Sequence, residues 1–259
     1  MTDEAVYAQP RRALRLDECQ FYHTMDIPGV GQVEGFGGGN WDLRGCVDEM
    51  LSNVPLKGKR LLEVGPASGY LTFEMERRGA EVVAVDAPFD HDWDIVPFPS
   101  TGGLWRNGLR EAWQPATNAW WFAHEHFGSR AKMCYASGYD IDKKSLGRFQ
   151  VAVMANVLLH NRDPLKIIQN CAKATDETLT IVEQWQPDLE PCAMPIVNLQ
   201  PEPHPIPGHE NWNTWWRFST RYFINFLTII GFEDIRINRF HAPWNGQPFE
   251  LFTLTASKA

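Results

Sequence analysis

The chain has 259 residues, of which 44% are hydrophobic and 22% are charged, proportions that are typical of a globular protein. No apolar run reaches the roughly eighteen residues that a membrane-spanning helix needs. The formal net charge of −8 opposes non-specific binding to nucleic-acid phosphates. The five cysteines form no C-x-x-C pair, which indicates reduced thiols and not a disulfide framework or a zinc site.

The N-terminal part of the chain, residues 1–40, is expected to form a cover over the functional site. Its first residues, Met1–Pro10, are polar and acidic and lack the apolar segment of a secretory signal, which predicts a cytoplasmic protein. After it, the spacing of apolar residues over Trp41–Asn53 predicts a helix.

A strand, a glycine loop, a helix and a second strand follow in direct succession. Arg60–Val64 reads as a short buried strand, and Gly65–Gly69 as a tight loop. Tyr70–Arg78 is predicted to be a helix that Gly79 ends, and a second buried strand starts at Glu81 and ends at Asp86. Together they predict a βαβ unit of about 30 residues.

The remaining apolar runs alternate with helical segments, as in a parallel sheet with helices on both faces. The sequence therefore predicts a single α/β domain over 1–259, with a Rossmann-like, seven-stranded, mostly parallel sheet whose last strand is antiparallel. The further predicted strands are Ala131–Tyr135, Phe149–Ala155, Thr178–Glu183, Glu233–Arg239 and Glu250–Thr255, and the further helices are Pro164–Ala174 and Thr220–Ile230.

Two connections, residues 87–130 and 184–216, are longer than a compact domain needs, and such connections often form lids or binding loops. Both are rich in tryptophan, of which the chain has eleven. These side chains either pack the two insertions onto the domain or form an acceptor pocket, and both roles can hold at once. The first insertion contains Trp93, Trp105, Trp113, Trp120 and Trp121.

The segment Glu63–Gly69, followed by Asp86, carries the functional signal. Glycine lets the backbone approach a ligand closely, because it has no Cβ and tolerates positive φ. Asp86 follows Gly65 by about 20 residues, which is the spacing expected for a carboxylate that accepts hydrogen bonds from a ribose.

The same segment argues against a dinucleotide. A pyrophosphate-binding loop has the pattern G-x-G-x-x-G, and Ala67 stands where its second glycine belongs. The acidic Glu63 at the end of the strand would repel phosphates, whereas it suits the cationic sulfonium and amino groups of S-adenosylmethionine (SAM). We therefore predict SAM as the cofactor.

The motif from Leu61 to Gly69 resembles motif I of class I SAM-dependent methyltransferases. Further stretches resemble the group around the tRNA wobble-uridine 5-oxyacetic acid methyltransferase (CmoB-like), over roughly residues 20 to 240. These stretches are Phe21–Met25, Trp41–Arg44, Phe73–Ala80 and Asn156–Leu165.

The resemblance implies a role for each matching residue. Asp86 would hold the ribose, Gly138, Tyr139 and Asp140 would flank the adenine, and Asn156 would close the site at the end of the fourth strand. The residues implied at the methionine end are Glu63, Gly65, Ser68 and Gly69, with Pro66 in the same loop.

Methyl transfer mainly requires alignment of the two reactants and, for some acceptors, removal of a proton. The candidate bases are His160, Glu183 and His23, because His160 and Glu183 follow strand ends at the edge where ligands bind in open α/β sheets. Each could instead be a hydrogen-bonded structural residue or an anchor for the acceptor.

No metal is predicted. His124 and His126 are two residues apart in a helical context and so face different directions. The run Asp90-x-Asp92-x-Asp94 lacks the glycine and the distal glutamate of a calcium loop.

Three functions are compatible with these features. The first is methyl transfer to a small-molecule or sugar acceptor, most simply on oxygen, with the tryptophan-rich insertions as the acceptor pocket. The second is modification of tRNA, which needs a basic surface assembled from dispersed arginines. The third is an inactive SAM-fold binding module. The arginines in question are Arg106, Arg110, Arg130 and Arg148.

Overall fold

The structure is a computed structural model that describes residues 6–36, 41–89, 91–99, 104–206, 209–244 and 246–258. None of the helices in these ranges combines the length and the apolar character that crossing a bilayer demands.

The described residues form eleven strands, seven of which make one large sheet while the other four pair in two small antiparallel ribbons. The strands are β1 (Met25–Ile27), β2 (Gly31–Val33), β3 (Arg60–Val64), β4 (Glu81–Asp86), β5 (Lys132–Tyr135), β6 (Phe149–Ala155), β7 (Thr175–Gln184), β8 (Val197–Leu199), β9 (Trp216–Phe218), β10 (Arg236–Trp244) and β11 (Gln247–Ser257).

Six α-helices lie between these strands in the described part of the chain, together with short 3-10 turns. The helices are α1 (Val47–Leu51), α2 (Tyr70–Arg77), α3 (Leu104–His126), α4 (Lys143–Leu146), α5 (Pro164–Ala174) and α6 (Thr220–Ile229).

The large sheet has the strand order β10-β11-β7-β6-β3-β4-β5. Strands β3 to β7 run parallel to one another, and β11 runs antiparallel to both β7 and β10. This is the predicted Rossmann-like, seven-stranded, mostly parallel sheet with an antiparallel last strand. The order reverses between β3 and β6, so the crevice between their carboxyl ends is where an open α/β sheet binds its ligand.

Helices cover both faces of the sheet, because the strand side chains alternate between two buried clusters. One cluster joins residues such as Leu61 and Val153 to α1, α2 and α3. The other joins residues such as Leu62 and Met154 to α5 and α6. The predicted two-sided arrangement of helices is confirmed.

Two predicted elements differ from the observed ones. The helix expected over Trp41–Asn53 is confined to α1, because Trp41 forms an antiparallel bridge with Trp244 and the backbone at Ser52 and Asn53 has positive φ. The 87–130 connection contains the long helix α3, of which the sequence indicated only the helical context of His124 and His126, because Pro115 lies in its middle.

The tryptophans of the 87–130 connection divide between two roles. Trp120 and Trp121 are 0% and 1% exposed and belong to the core beneath the sheet, so they cannot line an acceptor pocket. Trp93 and Trp113 lie nearer the surface, with ring centroids 5.5 Å apart. The side chain of Trp105 lies outside the described residues.

The N-terminal region packs as part of the domain. The β1–β2 hairpin places Met25, Ile27 and Val33 in the core. The backbone N–H of Tyr22 donates a hydrogen bond of 2.9 Å to Oγ of Ser68, which fastens this region to the glycine loop. Residues 37–40 of the predicted cover lie outside the described residues.

The end of β7 fixes the turn that follows β6. Glu183 is 1% exposed, and its Oε1 accepts a hydrogen bond of 3.1 Å from the backbone N–H of Leu158. Leu158 begins the 3-10 turn Leu158–His160 at the edge of the crevice. Burial raises the pKa of Glu183 to about 8, while the backbone N–H groups of the turn act in the opposite direction.

Replacement of Glu183 by Gln should make the protein relatively more stable as the pH rises. A carboxyl whose pKa is higher in the folded state than its unfolded value of about 4.3 costs stability as pH rises between the two values. Gln keeps an oxygen acceptor for Leu158 but cannot ionise. We expect the melting temperature of E183Q minus that of the wild type to increase by a few degrees between about pH 5 and about pH 8.5.

The matched control is Glu202→Gln, which changes a carboxyl that is exposed on the surface. Its melting-temperature difference should stay constant with pH. A constant difference for E183Q as well would mean that Glu183 does not pass from neutral to charged inside the folded protein.

Candidate active site

A cavity of about 240 Å³ opens at the carboxyl ends of β3, β4 and β6, where the strand order reverses. It brings together side chains and backbone from the glycine loop, the N-terminal region, both long connections and the turn after β6. The predicted site residues that line it are His23, Glu63, Gly65, Pro66, Asp86, Gly138, Asn156 and His160.

The glycine loop needs its glycines for two separate reasons. Gly65 has φ of 71°, and a Cβ built there would lie 2.4 Å from Cγ2 of Val157, so a side chain would collide with the turn after β6. Gly69 has φ of 91°, and its Cβ would lie 2.5 Å from Phe73 and 2.7 Å from Trp120. The first glycine shapes the cavity, and the second lets α2 pack against the core.

Glu63 ends β3 with a buried carboxyl that is 3% exposed. Its Oε2 accepts a hydrogen bond of 2.5 Å from the Thr72 hydroxyl, whose oxygen in turn accepts one of 3.2 Å from the Trp120 indole. Burial raises the pKa of Glu63 to about 8, and the nearby Asp86 acts in the same direction. The group is held in place and is poised to ionise when a cation or hydrogen-bond donor approaches.

Asp86 ends the neighbouring strand β4 and faces the same cavity. Burial raises the pKa of Asp86 to about 7, against hydrogen bonds from the backbone of Ala87 and the side chain of Trp113. The Ala87 N–H lies 2.9 Å from Oδ1. The carboxyl is thus oriented from two sides, as a group that accepts hydrogen bonds from a diol requires.

Asn156 follows β6 with φ of +50°, a backbone conformation that is uncommon outside glycine. Its Oδ1 is buried and has no hydrogen-bond partner among the described residues. Because a buried acceptor without a donor costs free energy, this atom is suited to a ligand that brings a donor. Gly138 lines the cavity on the far side of Asp86, where its Cβ would meet Ile167 at 3.1 Å.

His160 lines the cavity, and one of its two ring nitrogens already makes a hydrogen bond within the protein. Its Nδ1 lies 2.5 Å from the backbone carbonyl oxygen of Asn213, an acceptor that requires Nδ1 to carry the proton. That hydrogen bond leaves Nε2 as the basic nitrogen of the ring. Burial lowers the pKa of His160, which keeps the ring neutral at pH 7.

The other two candidate bases are in different situations. His23 lines the cavity, but burial lowers the pKa of His23 to about 3, which makes it a hydrogen-bonding group and a poor proton acceptor near pH 7. Glu183 does not line the cavity, because it points beneath the Leu158–His160 turn. In this structure Glu183 supports the turn after β6, and its role as a base or as an anchor for the acceptor stays a prediction.

Four residues predicted to bind the cofactor also lie away from the cavity lining. Ser68 is fully buried and fixes the N-terminal region, while Gly69 caps α2. Tyr139 donates its hydroxyl hydrogen to the Asp94 carboxylate, and Asp140 is exposed. The resemblance assigns these four positions to the cofactor, and that assignment stays a prediction.

The histidines of α3 make hydrogen bonds with backbone carbonyls. Nε2 of His124 lies 3.1 Å from the carbonyl oxygen of Ala131, and Nδ1 of His126 lies 3.2 Å from that of Pro28. No group of three or more potential ligands is present within the described ranges, which do not include Asp90.

Several cavity residues were not predicted individually. Trp93 and Trp113 come from the first long connection, and Trp212 and Asn213 come from the second. Their tryptophan content is the signal that marked both connections in the sequence. Trp41 also lines the cavity, but it carried no such signal because it sits in a segment with the spacing of a helix.

The sequence profile of the methyltransferase-domain family matches residues 43–234, which is most of the chain. No curated protein matches the sequence.

Solved structures similar to this chain include the N-terminal domain of EvdMO1 with S-adenosylhomocysteine (SAH) and D-fucose, at 16% identity and a TM-score of 0.55, covering 94% of this chain and 93% of that one. The 1,6-didemethyltoxoflavin-N1-methyltransferase of Burkholderia thailandensis is 15% identical, with a TM-score of 0.54, and the match covers 84% of this chain and 78% of that one. Magnesium protoporphyrin IX methyltransferase from Synechocystis PCC 6803 is 14% identical, with a TM-score of 0.53, and the match covers 84% of this chain and 82% of that one.

Identities this low show a common fold. The finer resemblance to the wobble-uridine group stays a prediction. The profile match over most of the chain shows that the protein belongs to the methyltransferase-domain family.

Proposed function

We propose that the protein is a SAM-dependent methyltransferase that methylates an oxygen atom of a small-molecule or sugar acceptor. One observation carries the proposal: the Glu63 and Asp86 carboxyls and the His160 imidazole open into a single cavity at the switch point of the sheet. The carboxyls suit the cofactor, and the imidazole suits a hydroxyl that must lose its proton.

The residues of the cavity fit SAM. Asp86 is oriented to accept hydrogen bonds from the ribose hydroxyls. Glu63 and the partnerless Oδ1 of Asn156 are acceptors for the amino group. Gly138 and Ile167 line the side of the cavity beyond Asp86, where a flat, apolar base would fit. When bound, SAM supplies an electrophilic methyl group.

His160 would act as the general base. Its proton-bearing Nδ1 is held by the Asn213 carbonyl, so Nε2 can take a proton from an acceptor hydroxyl. The resulting imidazolium would be stabilised by the same carbonyl and by the carboxyls of the cavity. A nitrogen acceptor with a free lone pair would need no such base, which is why oxygen is favoured.

The relatives support a small acceptor. The solved structures name D-fucose, 1,6-didemethyltoxoflavin and magnesium protoporphyrin IX in connection with their own proteins. Two arginines expected to contact tRNA, Arg130 and Arg148, precede β5 and β6 and so lie at the amino ends of strands, opposite the cavity. Arg148 is paired with Asp176.

The proposal is tested by incubating the protein with methyl-labelled SAM and a panel of metabolites and glycans. Label in a methyl ether, which forms from a hydroxyl group, would support it. Transfer only to nitrogen, or label in tRNA with salt-sensitive retention, would contradict the oxygen and small-molecule parts respectively.

Replacement of Asp86 by Ala should weaken binding of SAH. Loss of the hydrogen bonds to a charged acceptor predicts a roughly tenfold to hundredfold increase in Kd, measured by calorimetry at about pH 8. The matched control is Asp140→Ala, which removes an exposed carboxyl next to the cavity and should leave Kd unchanged. Equal loss in both variants, or none in either, would contradict the assignment of Asp86 to the ribose.

The affinity for SAH should increase with pH. Because burial raises the pKa of Asp86 to about 7 and that of Glu63 to about 8, both carboxyls are largely protonated in the free protein at low pH. A ligand that prefers their ionised forms then displaces protons. We expect Kd to fall by up to about tenfold per pH unit between about pH 6 and about pH 8, with proton release in calorimetry. An affinity independent of pH would contradict ligand contact with these carboxyls.

Replacement of His160 by Gln should lower kcat by a factor of roughly 10² to 10⁴, which is the usual contribution of a general base. At saturating SAM, where protonation of the cofactor-binding carboxyls no longer limits the rate, the wild-type kcat should fall with acidification below about pH 6.5, because the pKa of His160 is lowered from its ordinary value. This acidic fall in rate, the acidic limb of the pH profile, should be absent in the variant, while the Kd for SAH stays unchanged.

The control for His160 is His204→Gln, since His204 is exposed. An acidic limb that persists in H160Q, or a loss of SAH binding equal to the loss of kcat, would assign His160 a structural role.

A further inference from the structure

The cavity extends beyond the part that the cofactor would fill. Asp86 ends β4, and Gly138 begins the 3-10 turn that follows β5, so both lie at one side of the sheet. In the opposite direction the cavity reaches Trp41, which bridges to Trp244 at the end of β10. Strands β5 and β10 are the two edges of the sheet, so the Trp41 end lies on the side away from the nucleoside.

This end has an apolar wall and rigid rings. The Trp41 ring packs edge-on against Trp244, with ring centroids 4.6 Å apart, and against Phe249 at 5.8 Å. The ring of His23 stacks on it at 6.1 Å and 26°. We call this end the Trp41 pocket, defined by Tyr22, His23, Trp41, Leu43, Met50 and Leu71.

Two polar atoms of the pocket have no hydrogen-bond partner in the described part of the chain. They are Nε1 of Trp41, a residue that is only 6% exposed, and Nδ1 of His23. Trp41 can only donate a hydrogen bond, and a neutral histidine nitrogen can accept one. A hydroxyl group offers both of the missing partners, since it can accept a hydrogen bond from a donor such as the Trp41 indole and donate one to an acceptor such as Nδ1 of His23. Burying such groups unpaired costs free energy, which a suitable ligand would recover.

The charges of the cavity define the acceptor further. No Lys or Arg is among the described residues that line it, whereas Glu63, Asp86 and Asp94 are. The carboxylate of SAM is offset by the amino group of the same molecule, whereas an acceptor with a carboxylate or phosphate and no cationic group of its own would enter an acidic cavity without a counter-charge, at a large cost in free energy.

We propose that the Trp41 pocket binds the acceptor, and that this acceptor is an uncharged molecule with an apolar ring or chain and a hydroxyl group that His23 and Trp41 recognise. This inference rests on the proposed function. The recognised hydroxyl anchors the acceptor, while the oxygen that receives the methyl group lies toward His160. His23 and Trp41 thus determine specificity and take no part in proton transfer.

Phenol, toluene and benzoate, added to protein saturated with SAH, test the pocket by ligand-observed NMR. These probes share a ring and differ in polar group. Phenol should bind about threefold to tenfold more tightly than toluene, since it gains one or two hydrogen bonds. Benzoate should bind at least about tenfold more weakly than phenol, because its charge has no partner. Equal affinity for phenol and toluene, or preference for benzoate, would overturn the proposal.

Two variants assign the effect to residues. Trp41→Phe and His23→Phe keep a ring and remove the polar atom, so each should lower the preference for phenol over toluene. Trp185→Phe is the matched control, because Trp185 packs against Phe252 and does not line the cavity. The Kd for SAH should be unchanged in all three, which also verifies that they fold.

The outcomes separate the two proposals. Weaker SAH binding in Trp41→Phe with an intact phenol preference would mean that the pair holds the cofactor, and would overturn the inference alone. Failure of the wild type to bind SAH would overturn the proposed function itself. The comparison of the three probes on the wild type remains decisive even where a variant does not fold.

Discussion

The burial of two carboxyl groups side by side, Glu63 at the end of β3 and Asp86 at the end of β4, is the constraint around which this site is built. Each is removed from water, and the charge of Asp86 further disfavours that of Glu63. Such a pair opposes folding unless it is kept neutral or receives a partner. In an enzyme, that free energy is recovered when a ligand with a cationic group and hydroxyls occupies the cavity. The fold thus keeps a site whose electrostatic requirement matches one class of ligand.

Two kinds of structure surround the two carboxyls. We call the packed apolar core on one side the floor of the cavity, and the hydrogen-bonded loop segments on the other side its roof. The floor is apolar core, where Trp120 on α3 supports Thr72, and Thr72 supports Glu63. The roof consists of segments 91–96, 158–163 and 212–216, which are joined mainly by polar contacts. The backbone N–H of Trp215 donates to Leu159, that of Val96 donates to Trp212, and the indole of Trp216 donates to Asn161.

Local patterns in the sequence were sufficient to place the seven strands of the large sheet and the carboxylates at the ends of β3 and β4, but not the short strands of the two ribbons. The observed β6 and α5 have the predicted bounds, because apolar runs and an Asp-Pro start depend on neighbouring residues only. The extent of helix α3 was concealed by Pro115, which tertiary packing tolerates. Glu183 looked like a site residue because it ends a strand, whereas its direction is set by backbone N–H groups of another turn. His160 donates its Nδ1 hydrogen to the backbone carbonyl of Asn213. Because every residue has a backbone carbonyl, the residue type at position 213 could not predict this contact.

The charge of the cavity also bears on turnover under the proposed function. Methyl transfer removes the positive charge of the sulfonium, so the product cofactor is neutral at the atom where the substrate cofactor was cationic. Attraction between that charge and the carboxyls of Glu63 and Asp86 therefore acts before the reaction and is lost after it. No Lys or Arg among the described lining residues compensates these carboxyls. The same electrostatics that selects a cationic cofactor thus weakens the hold on the spent one, while the Trp41 pocket, which depends on neutral hydrogen bonds, is indifferent to the change.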